Sequence, residues 1–370
     1  MKKEFFSAKV RQMGDMLGRT EKKQIVQSLV AVTGLSVTAV VGAMAAYDSF
    51  FPRYERPDYD YYPGIYNYER AEKYVKREEF YFEAGDVNLK GYYYPAENSK
   101  GIVTLSHGLH AGADDYLPII IYLVQNNFSV FAYDGKGTYD SQGLSTVGMC
   151  QSVVDLDNAL KYINSAPRFC DEPLFLLGHS CGGYAVTSVL KLNKKVKACA
   201  AIAAVNNGYT LIREKGEQYA GIIASEGIPR IFLDVYQKAL FGRYSELNGT
   251  DGINSVSIPV LIAHGPEDGV VSFDGQSVIS HRGEIINPNV EYYIREGIFG
   301  GHDAIWHSER AVLYKNEVSA KLAELKKLRG EKLTKDEKKA FYRELDNELY
   351  SEVNRELMDA IIKTFNKAIE

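Results

Sequence analysis

The chain has 370 residues, of which 45% are apolar and 25% charged, with a formal net charge of −5. That length and apolar share suffice to bury one large core, and the acidic balance excludes a general nucleic-acid surface. Four cysteines, Cys150, Cys170, Cys181 and Cys199, have neither metal-ligand spacing nor the density of a disulfide scaffold, and no cofactor or metal is expected.

Residues 1–24 form a leader with seven basic and three acidic residues, a net +4 that leaves −9 on the remainder. Gln24 to Tyr47 then carries no charge and is rich in Val, Ala, Leu and Gly, long enough to cross a bilayer as a helix. A membrane or signal-anchor helix over 25–47 is therefore expected. The basic excess before it, against Arg53 and Arg56 after it, puts the amino terminus in the cytoplasm and the rest of the chain outside. Cleavage near Ala43-Met44-Ala45 is the alternative and gives a secreted protein. Residues 48–77 are a tyrosine-rich linker whose Phe50, Phe51, Tyr54, Tyr59, Tyr61 and Tyr62 read either as an interfacial belt or as a strap on the body that follows.

From residue 78 the pattern becomes α/β, with a strand pair at about 79–94 and strands near 101–106, 128–133, 173–177, 197–203, 259–264 and 290–294, separated by helical stretches. After the strand ending at 106 comes Ser106-His107-Gly108-Leu109-His110. Here the Leu109 amide is a candidate oxyanion donor, and the two histidines are expected to shape the loop. Gly178-His179-Ser180-Cys181-Gly182 is a G-x-S-x-G pentapeptide between the apolar run Pro173 to Leu177 and the helix-compatible stretch Tyr184 to Leu192. A strand-to-helix corner that tight needs small residues at 178 and 182, and it lifts the Ser180 hydroxyl to the sheet edge, where the Cys181 amide is the second oxyanion donor.

A serine hydroxyl is a weak nucleophile until an imidazole takes its proton and a carboxylate fixes that imidazole's tautomer. Asp268 stands beyond the strand ending near 264, and His302 in Gly300-Gly301-His302-Asp303 stands beyond the strand 290–294. Glu267 and His307 are the nearest rivals to these two. Ser180, Asp268 and His302 follow the chain order of a hydrolase triad. Cys181 is not expected to be the nucleophile, because the residue after an elbow serine points away from the site.

Residues 204–257 interrupt the sheet pattern with helical character and are expected to form a lid, in which Tyr219, Ile222, Ile223, Ile231, Phe232, Tyr236 and Phe241 line an acyl pocket or pack the lid down. Beyond the last strand, Ser308 to Leu328 reads as one helix. Thr334-Lys335-Asp336-Glu337 is a capping box that starts another, running toward Ile369. The charge-rich part of this extension spans 315–345.

These residues together resemble the alpha/beta-hydrolase superfamily, in particular the serine-hydrolase branch of monoglyceride lipases, lysophospholipases, related esterases and S33-type aminopeptidases. The resemblance covers about residues 78–370. It rests on His107 to Leu109, Asp134-Gly135-Lys136-Gly137 followed by Ser141-Gln142-Gly143, the elbow at Ser180, the acid loop at Asp268 and the Gly301-His302 turn. It implies an eight-stranded, mostly parallel sheet with helices on both faces and an acyl-transfer activity. The expected function is a serine hydrolase cleaving carboxylic esters, with a small acyl ester or lipid as substrate and the membrane as a second partner. An S33-type aminopeptidase, with Glu214, Glu217 or Glu226 holding the substrate amine, is the alternative enzyme. A catalytically silent, membrane-tethered binding scaffold is the alternative of another class.

Overall fold

The computed structural model describes residues 47–192, 195–212, 214, 228–330 and 333–370. The uninterrupted apolar runs of the sequence are the interior strands of one eight-stranded sheet. They are β3 (Ile102–Ser106), β4 (Ser129–Tyr133), β5 (Leu174–His179) and β7 (Val260–His264), buried at every position, and β6 (Val196–Ile202), buried except at Lys197. Burial on both faces is what a parallel strand covered by helices on each side requires. The edges, β1 (Glu78–Ala84) and β8 (Val290–Ile294), alternate or stay half exposed, and β2 (Val87–Tyr94) joins β1 by a tight turn.

The strand order is β1-β2-β4-β3-β5-β6-β7-β8, with β1/β2 and β2/β4 antiparallel and every other pair parallel. One face is covered by α2 (Gln151–Ser165) and α3 (Cys181–Val189); the other is covered by α1 (Leu117–Gln125) and a C-terminal helix described below. After β3 the chain moves outward to β4, and after β4 it returns across β3 to β5. The direction of winding thus reverses between β3 and β5, the place where loops splay apart and leave a crevice at the carboxyl ends of the strands. Ser106 pairs with Gly178 in the β3/β5 register, so the loop after β3 and the elbow after β5 stand side by side at this point.

Of the expected lid, the described part holds α4 (Ile228–Phe241), a 3-10 turn over Gly242–Glu246 and α5 (Gly249–Asn254). Tyr219, Ile222, Ile223, Glu217 and Glu226 lie outside the described residues, as does the predicted membrane segment up to residue 46. Among the described residues no helix is long and apolar enough to cross a membrane. Tyr47, the last residue of that predicted segment, is buried against the body, its ring 4.9 Å from Phe51 and 5.5 Å from Tyr236.

The C-terminal region differs from the expected pair of helices. α6 (Glu309–Leu328) is capped by Ser308, and α7 (Lys335–Arg343) begins with the reciprocal Thr334/Glu337 capping box. The second helix does not run on to Ile369, because Asp346 and Asn354 each turn a side-chain oxygen onto backbone amides ahead of them and restart the chain. Between these breaks Val353 bridges to His307, and the final helix, α8 (Arg355–Asn366), buries Leu357, Met358, Ile361 and Phe365 on the sheet.

Candidate active site

The elbow is built by its glycines. A Cβ on Gly178 would stand 2.2 Å from the Gly182 carbonyl oxygen, and one on Gly182 would stand 1.9 Å from that of Ser106, so strand, turn and helix close on each other only without side chains there. Between them Ser180 takes φ 57° and ψ −117°, a conformation disfavoured for a residue with a Cβ and held by the surrounding packing. α3 starts at Cys181, so its first backbone amides have no partner inside the helix and converge near the serine.

Asp268 lies in the loop beyond β7 and is buried, whereas its rival Glu267 is exposed. Oδ1 of Asp268 accepts the amides of Val270 and Val271, each at 2.8 Å. Oδ2 stands 2.7 Å from His302 Nδ1 and 3.2 Å from His264 Nε2. Burial alone would raise this carboxyl's pKa, but the hydrogen bonds from His264 and His302, with the Val271 amide, outweigh it and hold the group well below the usual carboxylate range. An ionised carboxylate only accepts, so the His302 Nδ1 carries its proton and Nε2 is left as a base. Ser180 and His302 line the same cavity, of about 630 Å³, and Leu109 is also on its wall. Cys181 is not on that wall. Its thiol is buried, 3.7 Å from the Met149 carbonyl oxygen, and burial pushes its pKa up to about 12, which leaves no thiolate near neutral pH. All four cysteines are free thiols.

The loop histidines divide as their surroundings dictate. His107 donates from Nδ1 to the Gly108 carbonyl at 2.7 Å and accepts the Gly135 amide on Nε2 at 2.8 Å, which ties the loop after β3 to the loop after β4. His110 sits at φ 67° on the cavity wall with the Tyr54 ring 4.2 Å from its own. His264 lies behind the acid loop, its Nε2 3.0 Å from the Val271 carbonyl. His307 is buried against Trp306 and Lys315, away from the cavity.

His179 and Tyr116 are two site residues whose part the sequence does not announce. The His179 ring lies 4.7 Å from that of His302, with Nε2 3.1 Å from the His302 carbonyl and Nδ1 2.9 Å from the Tyr116 hydroxyl. The carbonyl only accepts, so Nε2 bears the proton, Nδ1 accepts from Tyr116, and the Tyr116 oxygen in turn accepts the Gly108 amide at 2.9 Å. Burial, and then the nearby His302, lower the His179 pKa to about 4, which keeps this neutral arrangement. The chain of bonds has a consequence: the Gly108 amide is spent on Tyr116 and is not free to hold an oxyanion. Of the predicted acyl-pocket residues, Phe241 is buried in the core and Tyr236 donates to Asp48 at 3.1 Å; neither lines the cavity, and among the described residues of that region Leu211 is on its wall.

Comparison with known proteins follows the same outline. The chain is similar to the uncharacterized protein YfhR of Salmonella typhimurium, with 30% identity over 228 residues covering 57% of this chain and 70% of that one. The chain belongs to the alpha/beta-hydrolase superfamily. Within it, the family model "Serine aminopeptidase, S33" matches residues 97–231, which takes in the loop after β3 and the elbow and stops short of Asp268 and His302. The lysophosphatidylserine lipase ABHD12 of Danio rerio is 26% identical over 198 residues, 52% of this chain and 49% of that one. Pyrococcus furiosus esterase Pf2001 has the same fold, with a TM-score of 0.51 and 18% identity over 75% of this chain and 97% of that one.

Proposed function

We propose that this hydrolase is a serine esterase acting on small or lipid-like carboxylic esters through an acyl-enzyme. Ser180 attacks the ester carbonyl while His302 Nε2 takes the hydroxyl proton, and the Leu109 and Cys181 amides receive the negative charge that develops on the carbonyl oxygen. His302 then returns the proton to the departing alcohol. Water repeats the cycle on the acyl-enzyme, and Asp268 holds the imidazole in the Nδ1-protonated form throughout. The observation that carries this reading is the 2.7 Å bond of the buried Asp268 carboxylate to His302 on the cavity that also holds Ser180. The lipase name of the similar ABHD12 protein supports an ester substrate, whereas the family model's name, a serine aminopeptidase, supports the second reading given below.

The test is hydrolysis of p-nitrophenyl butyrate by residues 47–370 and by the Ser180→Ala variant. The wild-type protein turns the ester over and the variant falls to background; equal rates in the two would refute the assignment. A second reading, an aminopeptidase, draws on the exposed Asp303 carboxylate at the cavity wall as a holder for a substrate amine. It predicts faster turnover of an aminoacyl p-nitroanilide than of the matched neutral ester. We also propose that residues 25–46 anchor the protein in a membrane, with the hydrolase outside the cytoplasm, because that stretch is uncharged and follows a basic leader. Extraction of the full-length chain with detergent but not with carbonate is the expected result.

A further inference from the structure

The cavity beside Ser180 is closed on one side by a segment that does not belong to the sheet or to its crossovers. Tyr54, Glu55, Pro57, Tyr59, Tyr62 and Tyr66, all upstream of β1, line it together with Leu109, Met149 and Val271 of the body.

This strap is bolted at both ends. At the near end the Tyr54 amide donates to the Gly137 carbonyl at 2.9 Å, and the Tyr54 carbonyl accepts the Tyr139 amide at 2.8 Å. Arg53 donates to the carbonyls of Ser141 and Gly143, each at 2.9 Å. Arg56 reaches further in, to the Tyr92 hydroxyl and Asp140 at 2.9 Å and to Asp114 and Asp134, two buried carboxylates. At the far end the amides of Gly64 and Ile65 donate to Asn347 Oδ1 and Ser351 Oγ at 2.7 Å, and Lys315 bonds the Tyr66 hydroxyl at 3.2 Å. Arg70 ties the strap to itself through the carbonyls of Tyr59, Tyr62 and Gly64. A segment held by this many backbone-directed bonds is a fixed wall, and a fixed wall selects by shape.

Its chemistry is equally specific. Four tyrosine rings present flat apolar area, and among the described lining residues there is no lysine or arginine to hold a carboxylate or phosphate, while Glu55 and Asp303 add negative charge. We propose, building on the esterase reading, that the strap Tyr54 to Tyr66 is the selectivity wall of this enzyme, holding the uncharged body of a medium-length acyl ester beyond the scissile carbonyl. Substrate choice is thereby set by the segment that joins the hydrolase to its amino-terminal leader, and not by the region after β6 alone.

The test compares p-nitrophenyl acetate, p-nitrophenyl octanoate and the p-nitrophenyl monoester of suberic acid, which matches octanoate in length and ends in a carboxylate. Substrates are run on the wild-type protein and on Tyr54→Ala, Tyr62→Ala and the distant control Tyr292→Ala. Tyr62 is 52% exposed, and Tyr54 keeps its backbone bonds to Gly137 and Tyr139 when its ring, which lies against His110, is removed, so both variants keep the fold, checked by thermal midpoint and by reaction of Ser180 with a small fluorophosphonate. The expected result is an octanoate preference over acetate that drops about tenfold in each strap variant and is unchanged in Tyr292→Ala, with the suberate monoester at least about tenfold poorer than octanoate in the wild type. An octanoate-to-acetate ratio within twofold of wild type in both strap variants overturns the proposal, as does equal turnover of octanoate and suberate. A folded wild-type protein inert to all three esters and to the fluorophosphonate would instead overturn the esterase reading on which this rests.

Discussion

Replacing Asp268 by Asn isolates the electrostatic part of the site at constant shape. In the native arrangement Oδ1 is occupied by the Val270 and Val271 amides at 2.8 Å, and Oδ2 accepts a hydrogen bond from His302 Nδ1 at 2.7 Å. The two amides can be satisfied only by the carbonyl oxygen of an asparagine, so the new NH₂ group is forced toward His302. Facing a donor, the imidazole must accept on Nδ1 and carry its proton on Nε2, the nitrogen that has to receive the Ser180 proton. The base is lost although every atom is close to its place. Loss of the correct tautomer in a triad costs about 10³–10⁴ in kcat, or about 4–5.5 kcal/mol of transition-state stabilisation. The assay is kcat and KM for p-nitrophenyl butyrate near pH 8, with the thermal midpoint as a check on the fold. The expected outcome is a fall of that size in kcat with KM within a few-fold of wild type. A folded Asp268→Asn protein retaining more than a tenth of wild-type kcat would refute the role given to this carboxylate.

Other perturbations follow from the same contacts. Gly182→Ala drives a Cβ to 1.9 Å from the Ser106 carbonyl, which is backbone and cannot yield, so a loss of about 3 kcal/mol or more is expected, read as a lower Tm or as insoluble expression. Arg56→Ala removes the cation beside the buried Asp134 and one of the two that pair with the buried Asp114, whose Oδ1 keeps Arg77 at 2.8 Å, and is expected to cost about 3 kcal/mol; chemical denaturation with an unchanged midpoint would contradict it. His179 has a folded pKa near 4 against about 6.5 when unfolded, so the folded state binds fewer protons between these values. Its contribution to stability is full above about pH 6.5 and is lost as pH falls through 4. His179→Gln is therefore expected to flatten the decline in Tm between pH 6.5 and 4; an identical slope in the variant would contradict it.

The parts of the fold that sequence made legible are those with a one-dimensional signature. Buried parallel strands such as Leu174 to His179 and Val260 to His264 are apolar without interruption, and glycines crowd the elbow because backbone meets backbone there. The Thr334 capping box was equally readable, since it depends on residues three positions apart. The break at Asp346 and Asn354 was not, because each residue reads as an ordinary polar position on a helix until its side chain is seen turning onto the backbone. His179 and Tyr116 are joined across 63 residues by a hydrogen bond that no spacing encodes. The tyrosines of the strap carry no periodicity, and what makes them a wall is the docking of Arg53 and Arg56 onto loops some 80 residues downstream.

The central claim is that Ser180 is an activated nucleophile. Its most direct measurement is the intact mass of folded residues 47–370 after brief exposure to a fluorophosphonate at neutral pH, with the adduct mapped by peptide sequencing. The account predicts one adduct per chain, on Ser180, formed within minutes and absent from Ser180→Ala and strongly slowed in Asp268→Asn. An unmodified protein of native fold, or an adduct on another residue that persists in Ser180→Ala, would contradict it.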